Sequence, residues 1–357
     1  MAFVVPISTS TFTQRFRPAV SHRRPAGLTR MSAVPNVPDV LKKILERKET
    51  EVANLRAEVE AAGASHPVAK VLSKKGTLPR GKAFYSALKL PPGTITVIAE
   101  VKRRSPSKGK IGNVKNPGLL SRVYYEAGAG AISVLTDLEG FGGTLDDLKQ
   151  VVETQSTFKG NYPEPCPVLR KDFTIDEIQI AEAAAAGASA VLLIVAALGK
   201  EKTKELLDAT HAFGLDALVE VHDEDELKIA LDAGAEIVGV NNRDLRTFDV
   251  SLDTAMRLAE LIPEDVVKIA ESGIAQYIDA WRLRDVGYNA VLVGESLIRA
   301  YEGSASDNTS YTPSYNQAKG LIMAFKAKGS VEFGRSSNFS FYGKGEAAKE
   351  VLGEMSI

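Results

Sequence analysis

Residues 182–197 read EAAAAGASAVLLIVAA: an alanine-rich helix end, a corner at Gly187, then the unbroken apolar run Ala190–Val195. A helix stops readily at glycine, which enters the left-handed C′ conformation at little cost. A short apolar run without polar alternation reads as a strand buried on both faces. The same phrase recurs as Ala127-Gly128-Ala129 into Ala131–Leu135, Ala233-Gly234-Ala235 into Ile237–Val240, and Val286-Gly287-Tyr288 into Ala290–Val293. Between these repeats lie four more apolar runs, at Thr96–Val101, Pro167–Arg170, Ala217–Val221 and Val267–Ala270. Eight strand–helix units in about 200 residues predict a single α/β domain, the (β/α)8 TIM barrel. A doubly wound sheet would carry a glycine-rich dinucleotide loop after its first strand, and this chain has none.

Outward from the repeats, residues 36–93 read as an N-terminal helical extension. Leu41, Ile44, Leu45, Val52, Leu55 and Val59 form one helical stripe over 39–61, flanked by i,i+4 pairs Lys42/Glu46 and Arg47/Glu51. A short helix at Lys82–Leu88 stops at Pro91-Pro92-Gly93. Both precede the first strand and are expected to cap one end of the domain. The barrel is expected over 94–357. Residues 303–342, rich in Ser, Asn, Tyr and Gly with a short apolar helix candidate at Gly320–Lys326, are expected to form a late insertion, and Glu346–Met355 to form the closing helix.

The first 38 residues differ in kind. They hold Arg15, Arg17, Arg23, Arg24 and Arg30 with many Ser and Thr, and the first acid is Asp39. An arginine- and serine-rich, acid-poor leader is the composition of a transit peptide, so residues 1–35 are expected to target a plastid (chloroplast stroma), with cleavage near Arg30–Met31. The whole chain of 357 residues, 44% hydrophobic and 25% charged, is long enough for one barrel but not two. A net charge of −1 offers no field for nucleic acid or an anionic membrane, and no apolar run reaches spanning length. Cys166 is alone, which excludes an internal disulfide, and the four histidines lack metal-ligand spacing, so no metal or organic cofactor is expected.

In a barrel the chemistry belongs at the carboxyl ends of the strands. Those ends carry Glu100 and Lys102, Arg170-Lys171-Asp172, Glu220 with His222, Asn241-Asn242-Arg243, Glu271-Ser272-Gly273, and Gly294-Glu295. Any one charge there is commonly a solvated edge residue. Six charged ends converging on one mouth instead suit acid–base chemistry on an anionic small molecule. The turns Ser272-Gly273 and Gly294-Glu295 follow strands seven and eight, where barrels bind phosphate through backbone N–H groups. Lys102, Arg103, Arg104, Lys108 and Lys110 form a local basic run, of which Arg103, Arg104 and Lys110 read better as a solvated loop.

At this point the sequence resembles the indole-3-glycerol-phosphate synthase family. The resemblance is carried by IAEVKRRSPSKG (98–109), VLRKDFTIDEIQ (168–179), LVEV (218–221), GVNNRDL (239–245), AESGI (270–274) and VGESL (293–297), and spans roughly residues 38–302. It implies ring closure, decarboxylation and dehydration of 1-(2-carboxyphenylamino)-1-deoxyribulose 5-phosphate, in tryptophan biosynthesis. Lys171 is then the general acid and Glu220 the base. Lys102 is divided between binding and proton donation, Glu100 either only pairs with the lysines or also shares the dehydration step with Glu220, and Asn241 meets a substrate hydroxyl with Glu271 behind it. Phosphate lies against Ser105, Ser272, Gly273, Gly294 and Glu295. Arg243 either clamps the carboxylate or pairs with Asp244 or a loop acid, and Phe141 either faces the anilino ring or packs. Other enzymes of tryptophan synthesis are the expected protein partners. A phosphoribosylanthranilate isomerase would need a Cys/Asp pair at strand ends, and Cys166 precedes its strand. A Schiff-base aldolase using Lys102 or Lys171 and a catalytically silent scaffold are the remaining rivals.

Overall fold

The computed structural model describes Met1, residues 38–302 and residues 313–327; the expected transit peptide and the closing helix at Glu346–Met355 lie outside them. Eight parallel strands close into one barrel: β1 Thr96–Val101, β2 Ala131–Leu135, β3 Val168–Lys171, β4 Ala190–Ile194, β5 Asp216–Val221, β6 Ile237–Asn241, β7 Val267–Glu271 and β8 Ala290–Val293. Each pairs with its neighbours in sequence, and β8 returns to β1 through Thr96↔Ala290 to Ala99↔Val293. All eight expected strands are present within a residue or two. Gly128, Gly187, Gly234 and Gly287 all have the positive φ that the corner reading demanded.

The helices run α1 Asp39–Ala62, α2 Pro67–Leu72, α3 Ala83–Leu88, α4 Pro117–Glu126, α5 Leu138–Phe141, α6 Leu145–Ser156, α7 Glu177–Ala185, α8 Val195–Ala212, α9 Glu224–Ala233, α10 Asp253–Leu258, α11 Tyr277–Asp285, α12 Glu295–Glu302 and α13 Pro313–Lys326. Among the described residues no helix is long and apolar enough to cross a membrane.

The leading helices cap opposite ends of the barrel, not one. Phe84 and Leu88 of α3 are fully buried, and the N–H groups of Phe84 and Tyr85 both donate to Asp216 at the amino end of β5. That end is therefore sealed. Along α1, Leu41, Leu45 and Val52 face inward, while Val40, Leu41 and Ile44 line the cavity at the opposite, carboxyl-end mouth.

The expected late insertion needs correction too. Helix α13 falls inside 303–342, yet it packs against α4, α11, α12 and β1. Ala318, Ile322 and Phe325 are fully buried, Trp281 Nε1 donates to the Ala324 carbonyl at 3.1 Å, and Lys326 Nζ donates to the carbonyl of Gly128. This helix fills the last place in the outer ring. Its apolar stripe is short and follows a polar stretch, which is why the composition read as a loop.

Candidate active site

A cavity of about 660 Å³ opens at the carboxyl ends of the strands, a size suited to a ligand of drug or metabolite dimensions. Every residue assigned to the site from the sequence lines it: Glu100, Lys102, Ser105, Phe141, Lys171, Glu220, Asn241, Arg243, Glu271, Ser272, Gly273, Gly294 and Glu295. They converge because inward-facing positions alternate along each strand and the parallel register brings the ends level. Asn241 is opposite Glu271, Glu220 opposite Gly239, and Leu135 opposite Lys171.

The centre of the site is an ammonium between two carboxylates. Lys171 Nζ lies 3.2 Å from Glu220 Oε2 and 3.1 Å from Glu271 Oε2, and both acids are almost wholly buried. Burial works against the Lys171 ammonium, but the charges of Glu271, Glu220 and Glu100 outweigh it and hold its pKa above the ordinary range. The two acids diverge. Burial and the Glu220 charge raise the Glu271 carboxyl to about 7, against the pull of Lys171. For Glu220 burial also disfavours the anion, but Lys171, His222 and the Asn241 amide prevail and lower its pKa. One carboxylate is thus kept ionised beside a loaded acid, while the other carries a proton near neutrality.

Glu271 Oε1 is buried with no hydrogen-bond partner among the described residues, so its ionised form is expensive in the free protein. Replacing Glu271 by Gln should therefore raise the melting temperature above pH 7. A carboxyl with a raised folded-state pKa is stabilising while protonated, and that stability is lost as pH rises from its unfolded value through about 7. Thermal melts at pH 5.5 and 8.5 check this: the variant's gain over the parent should be clearly smaller at the lower pH, and a gain of equal size at both would refute the linkage.

Asn241 is turned toward this cluster. Its Nδ2 donates to Glu220 Oε1 at 3.0 Å, and its Oδ1 accepts from the Arg243 N–H at 3.1 Å. The expectation that Glu271 stands behind Asn241 is corrected, because Glu271 acts on Lys171 and Asn241 orients Glu220. Room for Glu271 comes from Gly239, where an added Cβ would overlap Glu271 Oε1 and crowd Leu218 Cδ1. Neither Gly239 nor Asn242 was singled out from the sequence. Asn242, buried, donates to the carbonyls of Glu271 and Ser272 at 3.1 Å and fixes the turn after β7.

On the other side, Lys102 Nζ pairs with Glu100 Oε1 at 2.6 Å. A Cβ on Gly294 would overlap that carboxylate and stand 2.9 Å from Lys102 Nζ, so glycine lets the β8 turn close on the pair. Ser272 and Gly273 are both left-handed, with φ of 63° and 80°, and Val250 sits where a Gly273 side chain would go. This turn, Ser105 and the start of α12 line the same cavity. Glu295 there bridges Lys108 and Arg299, each at 3.0 Å, so the rim keeps one positive charge in surplus. Arg299, a turn into α12, lines the cavity and was missed.

Two readings of the basic residues change. Arg103 is not a solvated loop residue: it holds Asp147 through two bonds of 2.6 and 2.9 Å and also donates to the carbonyls of Gly142 and Val114. Arg243 does not pair with Asp244, which is held by Arg246. The Arg243 guanidinium instead meets only Ser107 Oγ and the Phe248 carbonyl, and faces the cavity uncompensated by any acid among the described residues. Phe141 and Phe173 approach with tilted rings, centroids 6.3 Å apart, on one wall.

Beneath that wall α1 is tied to the catalytic strand ends. Lys48, fully buried, reaches Asp172 at 2.8 Å and Asp137 at 3.3 Å, and Arg47 pairs with Asp137 and Glu139. Asp172 follows Lys171 directly, so this network fixes the chain that delivers the ammonium. A lysine on the apolar stripe of a helix was its one sequence signal.

A closed barrel with one lysine between two buried carboxylates, tight glycine turns after strands seven and eight, and an aromatic wall, all at one cavity, is the architecture of a barrel enzyme suited to proton-transfer chemistry. The sequence profile of the indole-3-glycerol phosphate synthase family matches residues 41–307, and the chain belongs to that family. It is 44% identical over 269 residues to the indole-3-glycerol phosphate synthase of Opitutus terrae, covering 75% of this chain and 97% of the relative. The Roseiflexus enzyme of that name is 45% identical over 263 residues (73% and 94%), and that of Ruminiclostridium cellulolyticum 43% over 266 (74% and 96%).

Proposed function

We infer that the protein is a carbon–carbon lyase that converts 1-(2-carboxyphenylamino)-1-deoxyribulose 5-phosphate to indole-3-glycerol phosphate, carbon dioxide and water. The observation that carries the reading is Lys171 held between an ionised Glu220 and a protonatable Glu271 in a cavity rimmed by unmatched cations. Attack of the anilino ring carbon on the ketone puts negative charge on oxygen, and the Lys171 ammonium supplies the proton. Carbon dioxide then leaves. Loss of hydroxide needs a proton on the departing oxygen and removal of one from the neighbouring carbon, the latter a task for Glu220, which Asn241 aims.

Lys102, neutralised in part by Glu100, and Arg243, without an acid partner among the described residues, suit the substrate carboxylate. Ser105, Ser272, Gly273, Gly294 and the start of α12 suit the phosphate, with Lys108 and Arg299 adding charge. Phe141 with Phe173 suits the anilino ring. The composition of residues 1–38 supports a plastid address for this reaction, and a cavity that releases a small diffusible product suits other tryptophan-pathway enzymes as partners.

The test is to give the purified protein the anilino-ribulose phosphate in EDTA and follow indole fluorescence. Product should form with chelator present. Absence of product, or trapping of a lysine adduct by borohydride, would overturn the reading in favour of a silent scaffold or an aldolase.

A further inference from the structure

The stretch 242–251 after β6 folds back on itself as a short hairpin. The Ser251 N–H donates to the Asn242 carbonyl at 3.0 Å, and Arg243 forms an antiparallel bridge with Val250. At the tip, the Asp244 N–H donates to the Asp249 carbonyl at 2.9 Å, and the Asp244 carbonyl accepts the Phe248 N–H at 2.8 Å. Phe248 is left-handed, with φ of 63°. For a bulky side chain that conformation is costly and persists only where the surroundings fix it.

The Asp244 side chain supplies the fixing. Its Oδ1 accepts the Arg246 N–H at 2.7 Å, two residues on, which closes an Asx turn. The Arg246 guanidinium then closes on both carboxylate oxygens, with Nε 3.1 Å from Oδ1 and Nη2 2.7 Å from Oδ2. The Arg246 side chain above all holds the Asp244 carboxyl down to about 2, so the clasp stays ionised at neutral pH. Neither Asp244 nor Arg246 lines the cavity, whereas Arg243, Leu245, Phe248 and Val250 do.

What the turn delivers to the cavity is the direction of one carbonyl. The Phe248 C=O faces Arg243, whose Nη1 donates to it at 3.1 Å, and Ser107 Oγ accepts from the same nitrogen at 3.3 Å. Both acceptors are neutral. They orient the guanidinium without cancelling its charge, which is left for a bound anion. Asp244, the acid beside Arg243 in the chain, is meanwhile engaged by Arg246.

We propose that Asp244 is a positioning residue for substrate binding: clasped by Arg246, it closes the turn that aims the unneutralised Arg243 at the substrate's anionic group. This role rests on the reading above, in which Arg243 meets the substrate carboxylate. Asp244 acts through Arg243 and does not itself touch substrate.

A double-mutant cycle separates positioning from mere support of the fold. The probe is the substrate with its ketone reduced to an alcohol, which can bind but not react, titrated by calorimetry. Asp244→Ala should weaken binding at least about fivefold and Arg243→Ala at least about tenfold. The double variant should bind within about twofold of Arg243→Ala alone, because the turn has nothing left to aim. Asp244→Asn keeps the oxygen that closes the Asx turn and should bind within about threefold of the parent. Unchanged affinity in either single alanine variant, losses that add in the double variant, or an Asp244→Asn as weak as Asp244→Ala would overturn the proposal. A parent that fails to bind the reduced substrate would instead overturn the functional reading itself.

Discussion

Replacing Lys171 by Ala should reduce kcat by about 10²-fold or more, the scale of lost acid catalysis, with a smaller change in KM. The loss has two sources. The proton for the ketone oxygen disappears with the ammonium. In addition, Glu220 and Glu271 are left facing each other without the cation both lean on at 3.2 and 3.1 Å. Two buried carboxylates that have lost their shared cation hold protons more readily, and Glu220 loses the charge that kept it ionised, so the base is weakened as well.

Lys171→Arg separates the two sources. A guanidinium keeps the charge, and so keeps Glu220 ionised, but is too weak an acid to donate. It should bind substrate nearly as the parent does and still fail in turnover. Steady-state kinetics for both variants, with substrate affinity measured separately, decide the matter: a change confined to KM would mean that Lys171 binds and does not donate.

The second large effect is expected at Glu220. Glu220→Gln preserves shape and still offers an oxygen to Asn241 Nδ2, but it cannot accept a proton from carbon. Here kcat should again fall by about 10²-fold or more, and the block should fall late. Ring closure and decarboxylation precede the step that needs the base. A single-turnover experiment should therefore release carbon dioxide ahead of indole fluorescence, with a hydrated, ring-closed intermediate in the quenched mixture. Loss of the carbon dioxide burst as well would place Glu220 in an earlier step.

These two variants rest on residues legible from the chain alone. Each belongs to a strand whose apolar run announces it, and each stands where that run turns polar. Buried parallel strands need apolar residues on both faces and glycine at the preceding helix end, so the pattern of eight strands is local and survives in one dimension. The glycine turns after β7 and β8 are legible for a similar reason, because left-handed backbone and close approach restrict what can stand at Gly273 and Gly294.

Tertiary structure decided which charges meet. The sequence could place Glu271, Asn241 and Arg243 at strand ends, but their partners depend on register and barrel curvature. So Glu271 shares Lys171, Asn241 serves Glu220, and Arg243 is left without an acid among the described residues. The same limit explains Lys48 and Asp172, whose meaning lies in groups dozens of residues away. It explains α13 as well, since a short apolar stripe becomes a barrel helix only when α4, α11 and α12 leave a groove for it. Periodicity encodes what each residue does to its own stretch of backbone, whereas the pairing of buried charges is settled by distances that only the closed barrel sets.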